Sequence, residues 1–255
     1  MKKVILFAFV LFIAASCQNV QRRDAAVCWS TFQMPQINII NEAPDSEGWA
    51  ILDRLIPCFE EYIAVLSMEV LEALYWSPAC SIPAVQTLNF YIRDVSGIGA
   101  KWGAPPTVSI FYSTRHVERI AQDGDERVLF ETRGVQLHEL VHAFQLEPQG
   151  IGTYGNSVDN EFFIVIEGIA DAIRIYLGGF PPDNRRPGGS WRHGFQRTGY
   201  FLVWLTERDP DFIRKLNRSM LEIIPWGFNK AIQHILGEQY DIDELWEEYQ
   251  RAITP

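Results

Sequence analysis

Two histidines lie four residues apart in the segment His138-Glu139-Leu140-Val141-His142. On an α-helix, positions i and i+4 are about 40° apart around the axis, so both imidazoles project from one face and can bind one metal ion. Glu139 follows the first histidine and can hold a metal-bound water and accept its proton. This H-E-x-x-H pattern predicts a hydrolytic zinc site with His138 and His142 as ligands and Glu139 as the catalytic base.

A second segment, 162–173, supplies the context that so short a pattern needs. As a helix it is apolar around nearly its whole circumference, which predicts burial, yet it carries Glu167 and Asp171 four residues apart. A buried carboxylate costs several kcal/mol unless it meets a cation or strong hydrogen bonds. We therefore predict that Glu167 is the third zinc ligand and that Asp171 accepts the N–H of a ligand histidine.

An alternative interpretation needs no metal. Asp171 would pair with Arg174 three residues on, Glu167 would meet another basic group, and both motif histidines would be ordinary core residues. This alternative leaves four matched positions to coincidence, so we favour the zinc site. Three further histidines are expected to be structural or surface residues: His116, His193 and His234. Of these, only His193 is considered as a further ligand.

The elements that must position these residues begin with a helix capped at Asp45 or Ser46. Its apolar residues recur at helical spacing well past Pro57, where a kink is expected. Residues 87–95 and 107–113 are rich in β-branched and aromatic residues and are bounded by Gly and Pro. Both segments therefore predict strands of a small sheet.

The H-E-x-x-H motif falls on a helix predicted over 133–146. A loop over 147–160, rich in Gly and Pro, leads to the second helix, predicted over 161–177. The last third of the chain is predicted to be helical, with two recognisable helix starts: Asp209-Pro210, and Asp241 with Glu244. These elements predict an α+β fold with a small β-sheet, an active-site helix and a mainly helical C-terminal part.

The chain is acidic, with a net charge of -10 that is spread along its length. Such a charge works against binding to nucleic acid or to anionic lipid through a basic surface. A short basic pair, Arg185-Arg186, is interpreted as a solvated loop segment. With 255 residues, 47% of them hydrophobic, the chain can bury a core and needs no disulfide scaffold.

Residues 1–16 have the anatomy of an export signal. Lys2 and Lys3 precede the apolar run 4–13, and small residues stand before Cys17. The apolar run is too short to cross a bilayer comfortably. Small residues before a cysteine also match a bacterial lipobox. The exported protein is therefore expected to be either a cell-envelope lipoprotein acylated at Cys17 or a freely secreted protein.

The remaining sequence divides into a polar, irregular linker over 17–36 and one domain over 37–255. If Cys17 carries lipid, an odd number of cysteines remains, which leaves one thiol unpaired in an oxidising compartment: Cys28, Cys58 and Cys80. A bridge between Cys58 and Cys80 would tie a helix to the loop after it. The alternative is that all three are small buried apolar residues.

Two segments carry a family resemblance: Gly134-Val135-Gln136-Leu137-His138-Glu139-Leu140-Val141-His142-Ala143-Phe144-Gln145, and Ile166-Glu167-Gly168-Ile169-Ala170-Asp171. They resemble the plant basic secretory protein family, a group of zincin peptidases also found in bacteria. The resemblance continues over 109–112, 191–202, 212–217 and 245–249. It implies a zincin-like fold, Zn2+ as the cofactor and peptide hydrolysis. The Glu-Gly-x-Ala segment also resembles gluzincin aminopeptidases, whose Glu is the third zinc ligand, and this supports Glu167 in that role.

The chain departs from the family in three respects. It is acidic, although the family takes its name from basic members, and the segment 148–160 is an insertion. Where members often have Gly-Tyr after a Trp, this chain has Gly194-Phe195. If that Tyr stabilises the oxyanion in the family, another group must do so here, and Tyr200 and His193 are the candidates.

The predicted function is therefore zinc-dependent hydrolysis of a peptide or protein substrate by an exported metallopeptidase. A rival from another class is a non-catalytic surface lipoprotein that keeps zinc for structure or for docking a glycan or protein partner. Glu139 argues against this rival, because a purely structural site does not need it, whereas the missing Tyr at Phe195 favours it. Hydrolysis of a non-peptide amide is a third candidate.

Overall fold

A computed structural model describes residues 29–154 and 160–254 of the chain. The predicted export signal over 1–16, Cys17 and Cys28 therefore lie outside the described residues. Within the two described ranges, no helix is both long enough and apolar enough to cross a membrane. The domain boundary at 37 stays a prediction, and the first strand begins beside it, at Gln36.

Four strands form one mixed sheet in the spatial order β1-β2-β4-β3. They are β1 (Gln36–Asn41), β2 (Thr87–Arg93), β3 (Gly99–Ala104) and β4 (Thr107–Ser113). β1, β2 and β4 are parallel, and β3 runs antiparallel to β4 at one edge. Alternate residues of β2 are fully buried, so one face of the sheet covers the core.

The strands that the sequence predicts, β2 and β4, are present, whereas the sequence pattern predicts neither β1 nor β3. β1 begins at the end of the segment interpreted as a linker. β3 has the sequence GAKWGA, and glycine and alanine have low strand propensity. Its pairing with β4 over six registered positions stabilises β3 instead.

The predicted helix around Pro57 is two helices, α1 (Glu47–Leu55) and α2 (Phe59–Leu74). The Ser46 hydroxyl caps α1 by accepting the backbone N–H of Trp49 at 3.2 Å. The expected kink at Pro57 is a full break, because the residue before a proline is disfavoured in the helical region and Ile56 adopts φ -135 and ψ 69. The α2 helix then packs on the sheet through Phe59, whose ring lies 5.3 Å from that of Phe90.

Two helices follow the sheet, α3 (Thr114–Ala121) and α4 (Asp125–Phe144), and Gly124 separates them at φ 98. The sequence pattern misses α3, and α4 begins well before the predicted residue 133. At 20 residues, α4 is about 30 Å long, so it crosses the whole core. The motif lies near its C-terminal end.

The predicted helix over 161–177 is present as α5 (Glu161–Tyr176), capped by the Asn160 side chain. It packs closely on α6 (Phe195–Leu205) because each helix presents a glycine to the other. A Cβ on Gly168 would lie 2.6 Å from Cγ2 of Thr198, and a Cβ on Gly199 would lie 3.0 Å from the backbone of α5. Only glycine therefore permits this approach of the two helices.

The C-terminal part is helical, with α7 (Phe212–Glu222), α8 (Phe228–Leu236) and α9 (Ile242–Ile253). Asp241 caps α9 as predicted, accepting the N–H groups of the next turn. The start predicted at Asp209-Pro210 is wrong by two residues, because the Asp209 carboxylate accepts the N–H of Asp211 and forms a turn that precedes α7. The fold is therefore mixed α+β with one small sheet and a mainly helical C-terminal part.

The bridge considered between Cys58 and Cys80 is not formed, and both thiols are free. Cys58 is exposed directly before α2, and Cys80 is half-buried beyond its other end. Sixteen residues of helix rise about 24 Å, which keeps the two thiols apart. The alternative, that these cysteines are buried apolar residues, is also wrong for the exposed Cys58.

Candidate active site

Helix α4 presents both motif histidines from one face. The ring centroids of His138 and His142 are 4.6 Å apart, and their planes meet at 88°. Their Nε2 atoms lie 3.0 Å from each other. The side chains are only 12% and 11% exposed, so the two nitrogens meet in a sheltered place. The i, i+4 spacing thus brings both imidazoles to one point.

Helix α5 brings a carboxylate oxygen to the same point. Oε2 of Glu167 lies 3.2 Å from Nε2 of His138 and 3.4 Å from Nε2 of His142. Zinc ligands at bond lengths of about 2.0–2.1 Å in a tetrahedral arrangement are about 3.3 Å from one another. These three atoms, called the donor triangle below, therefore have the separations that a zinc ion needs.

The chemistry of the donor triangle also suits a cation. Glu167 is 4% exposed, and its Oε2 has no hydrogen bond of acceptable geometry within the described part of the chain. Leaving a buried carboxylate oxygen without such a bond is costly unless a cation lies nearby. Two imidazole nitrogens and one carboxylate oxygen are a ligand set found in catalytic zinc sites with an open fourth position. The residues present fit zinc.

Two further side chains orient the imidazoles. Oδ1 of Asp171 lies 2.7 Å from Nδ1 of His138, so it accepts the N–H there and leaves Nε2 free to bind a metal. Nε2 of Gln145 lies 2.7 Å from Nδ1 of His142, and a 180° rotation of the amide would place its oxygen there to accept the second N–H. Sequence reasoning identifies Asp171 but misses Gln145, although its i+3 spacing from His142 is a signal.

The metal-free interpretation requires an ion pair between Arg174 and Asp171, and this pair is not formed. The Arg174 guanidinium lies 3.2 Å from Oε2 of Glu131 and 3.7 Å from the centre of the Phe180 ring. Asp171 is instead bonded to His138, and no arginine or lysine lies within ion-pair distance of it in the described residues. The alternative interpretation is therefore wrong about the pairing of Asp171 with Arg174.

The charges around the donor triangle favour a positive ion. Burial alone would lower the pKa of His138, but the charge and hydrogen bond of Asp171 raise it to about 10. Burial alone would raise the pKa of Glu167, but the two histidines close to its Oε2 hold that pKa well below its ordinary value. Both shifts mean that the carboxylates attract positive charge to this point, which a proton or a metal ion can supply.

Glu139 lies beside the donor triangle and is 6% exposed. Burial raises the pKa of its carboxyl group, and the two neighbouring histidines oppose that shift. Its Oε2 has no hydrogen-bond partner among residues 29–154 and 160–254, and its Oε1 faces Gly99 at the start of β3. A buried carboxylate without a fixed partner, at the wall of a cleft, is suited to accept a proton from substrate or water.

Two hollows meet at the donor triangle. The larger hollow, of about 790 Å³, extends along β3 and the loop after α4, and the smaller hollow, of about 430 Å³, extends toward Asp171 and Phe180. Four residues line both: Gly99, His138, Glu139 and Phe195. A cleft that passes the donor triangle on both sides can hold an extended chain with one of its bonds beside the triangle.

Tyr200 and His193 are the two residues considered as hydrogen-bond donors to the oxyanion. Neither of them forms a hydrogen bond with the donor triangle. The Tyr200 hydroxyl donates to the carbonyl of Pro181 at 2.6 Å, and Tyr200 lines neither hollow. Nδ1 of His193 accepts the backbone N–H of Ser190 at 3.0 Å, and His193 lines the smaller hollow. The other two histidines lie elsewhere, as expected, one buried and one at the surface: His116 and His234.

Phe195, at the start of α6, lies over the site but has no polar group. Its ring is nearly parallel to that of His138, at 6.1 Å between centroids and 13° between planes. Its φ of 44 is uncommon for a bulky residue, and it follows Gly194, which has φ 66. This backbone conformation turns the Phe195 ring toward the cleft, where it is 46% exposed.

Tyr154 contacts the site although the sequence gives no sign of it. Its hydroxyl donates to Oε1 of Glu167 at 2.5 Å, the oxygen that does not face the imidazoles. Its ring packs edge-on against Phe162 and Phe163, and the residue is 49% exposed in the larger hollow. Tyr154 belongs to the loop predicted over 147–160, and no helical or strand spacing relates a loop residue to the motif.

One comparison with known proteins identifies a family. A family model named BSP, described as a peptidase of plants and bacteria, matches residues 33–249, which include the sheet, both motif helices and most of the C-terminal helices. Searches of curated proteins and of solved structures found no significant match. The match confirms the resemblance to the basic secretory proteins. The chain therefore belongs to the BSP family, the peptidases of plants and bacteria.

Proposed function

We propose that the chain is a zinc-dependent peptidase whose metal is held by His138, His142 and Glu167. The observation that supports this proposal best is the donor triangle, whose sides of 3.0, 3.2 and 3.4 Å match the ligand separations of tetrahedral zinc. Family membership supports hydrolysis of peptides or proteins as the activity. The two buried carboxylates beside the histidines support the need for a cation.

The proposed mechanism gives each neighbouring side chain a separate task. Zinc, when bound, would act as a Lewis acid that polarises the substrate carbonyl and makes water easier to deprotonate. Glu139 accepts the proton of the attacking water and passes it to the leaving amine. Asp171 and Gln145 hold the imidazoles in the orientation in which each Nε2 is free to bind the ion.

We also propose that the fold is zincin-like and that β3 binds the substrate. β3 is an edge strand, and its residues Gly99, Ala100 and Lys101 line the larger hollow beside Glu139. An extended peptide can add to such an edge through main-chain hydrogen bonds. Recognition of this kind holds the peptide bond in place while side-chain pockets decide sequence preference.

The proposed location is outside the cytoplasm, either as a cell-envelope lipoprotein anchored at Cys17 or as a secreted protein. This part of the proposal rests on the sequence of residues 1–17 alone. The acidic chain suits neither nucleic acid nor an anionic membrane surface as a partner. A peptide or protein substrate is the partner that we propose.

A non-catalytic zinc-containing surface lipoprotein, which binds a glycan or protein partner, is the second candidate. Phe195 favours it, because this residue lies over His138 but cannot donate a hydrogen bond to a reacting substrate. Glu139 opposes it, because a buried carboxylate beside a structural zinc ion would cost stability without a benefit.

Digestion of a peptide library by the purified mature chain tests the proposal. We expect cleavage that a chelator abolishes, that added zinc restores and that the Glu139→Gln variant lacks. Glu126→Gln changes an exposed carboxylate on the same helix and is the matched control, with normal cleavage expected. Cleavage that persists in Glu139→Gln would contradict the role of Glu139. Stable zinc binding without cleavage of any peptide would favour the second candidate.

A further inference from the structure

The proposed reaction needs a hydrogen-bond donor for the substrate oxygen that gains negative charge when water attacks. Loss of such a donor lowers turnover by about 10²–10³ in other hydrolases. Phe195 lies over the site but has no hydrogen-bond donor, and the Tyr200 hydroxyl already donates to the carbonyl of Pro181. Neither of these two side chains therefore serves this purpose.

Tyr154 is held at the site by contacts of the preceding loop residues and of its own ring. The carbonyl of Gln149 accepts the backbone N–H of Trp226 at 2.8 Å. The carbonyl of Thr153 accepts a hydrogen bond from the Asn160 side-chain amide at 3.1 Å. The ring itself packs against two phenylalanines of α5, at 5.5 and 6.4 Å between centroids. These contacts fix the position from which the hydroxyl reaches Glu167.

The exposure of Tyr154 distinguishes it from a residue that only holds a ligand in place. Its hydroxyl contacts a carboxylate that is 4% exposed, yet the residue as a whole is 49% exposed and lines the larger hollow. A molecule in that hollow can therefore reach the hydroxyl. Asp171 and Gln145, which orient the histidines, are by contrast both buried.

We propose that the Tyr154 hydroxyl donates a hydrogen bond to the carbonyl oxygen of the substrate as that oxygen gains charge. This inference rests on the proposed function. In the free protein, the single O–H is donated to Oε1 of Glu167. A cation at the donor triangle would weaken Oε1 as an acceptor, whereas the substrate oxygen becomes a stronger one during the reaction, so the hydrogen bond passes to the substrate.

Steady-state kinetics of Tyr154→Phe are the first test. We expect kcat to fall about 10²-fold, with KM and zinc content close to those of the unmodified chain. Tyr176→Phe, which removes the same hydroxyl from a residue that is 61% exposed, is the control and should be unchanged. Unchanged kcat would overturn the inference, and so would a parallel loss of zinc, which means that Tyr154 only positions Glu167. A loss of kcat in His193→Gln but not in Tyr154→Phe would assign the role to His193.

Inhibitor binding tests the same residue without turnover. A peptide phosphonamidate carries a charged tetrahedral group in place of the reacting carbonyl, whereas a thiol of the same peptide sequence binds zinc without such an oxygen. Tyr154→Phe should weaken the phosphonamidate about tenfold to a hundredfold and leave the thiol unchanged. An equal loss of affinity for both inhibitors, or no loss of affinity for either, would contradict the inference. If the unmodified chain cleaves no peptide, the proposed function fails, while this difference in binding still decides the position of Tyr154.

Discussion

The carboxylate of Asp171 and the imidazole of His138 are joined by a hydrogen bond of 2.7 Å between Oδ1 and Nδ1. The bond connects α4 to α5 at the site itself, and Asp171 is only 4% exposed. It keeps the His138 proton on Nδ1 and so leaves the lone pair of Nε2 directed at the donor triangle. In the proposed site, zinc binding therefore depends on a residue that would not contact the ion.

Replacement of Asp171 should weaken zinc binding without removing a ligand. We expect Asp171→Ala to lower zinc affinity about 10- to 100-fold, because the His138 ring loses its fixed orientation. Asp171→Asn keeps an oxygen that accepts the N–H and should cost less. Competition with a chromogenic chelator measures the zinc affinity of the unmodified chain and of both variants. Equal affinities would show that the hydrogen bond does not support the metal site.

Gly99 should be required for the position of Glu139. A Cβ at residue 99 would lie 3.1 Å from Oε1 of Glu139 and 3.1 Å from the carbonyl of Phe111, which is backbone of the sheet and cannot easily move. The carboxylate must shift, so we expect Gly99→Ala to lower kcat about tenfold with zinc retained. Gly227→Ala, where a Cβ meets nothing closer than 3.5 Å, is the control. Normal kcat in Gly99→Ala would mean that Glu139 is not the proton acceptor in this position.

The contact between α5 and α6 should depend on a single methyl group. Gly168→Ala places a Cβ 2.6 Å from Cγ2 of Thr198, an overlap that we expect to cost about 1–3 kcal/mol. Thr198→Ser removes that methyl group but keeps the hydroxyl, which donates to the carbonyl of Trp191. In the double variant, most of the cost should therefore disappear. Urea unfolding of the four proteins measures this coupling, and simple additivity of the two changes would contradict the packing described.

Glu131 should make the fold sensitive to acid. Burial would raise its pKa, but His116, Arg174 and Arg127 lower it to about 2 from the ordinary 4.5. Because the folded-state pKa is the lower one, the stabilisation is fully present above about pH 4.5 and is lost as the pH falls toward 2. The contribution of this carboxylate is at most roughly 3 kcal/mol, because solvent screens part of its charge interactions.

The Glu131→Gln variant tests this dependence. At neutral pH its free energy of unfolding should be lower than that of the unmodified chain, and the difference should shrink between about pH 4.5 and 2. Urea unfolding at several pH values provides the comparison, since other carboxylates titrate equally in both proteins. A difference that is constant over this range would show that Glu131 is not stabilised by its three basic neighbours.

Helical spacing made the central residues of the site predictable from the sequence. His138 with His142, and Glu167 with Asp171, each share a helix face because they are four residues apart. Spacing cannot tell how closely two helices approach; for α5 and α6, the close approach depends on Gly168, where a Cβ would lie 2.6 Å from Cγ2 of Thr198. Tyr154 reaches the site from a loop, where no periodicity exists to reveal it.

The errors in the fold have local physical reasons. β3 consists largely of glycine and alanine, so its strand character comes from pairing with β4 rather than from its own residues. Pro57 separates two helices instead of bending one, because Ile56 leaves the helical region before it. Asp209 is a residue type that typically caps a helix, but its carboxylate accepts the N–H of Asp211 and so forms a turn before α7 begins. Each case depends on strand pairing, on backbone angles or on a side-chain hydrogen bond, which a residue pattern does not contain.

Metal analysis of the purified protein tests the central claim most directly. We expect one zinc ion per chain in the unmodified protein and in Glu139→Gln, which keeps His138, His142 and Glu167. Zinc should be largely lost from Glu167→Ala, which removes one corner of the donor triangle. Absence of zinc from the unmodified protein even after incubation with the metal, or full retention of zinc by Glu167→Ala, would contradict the account.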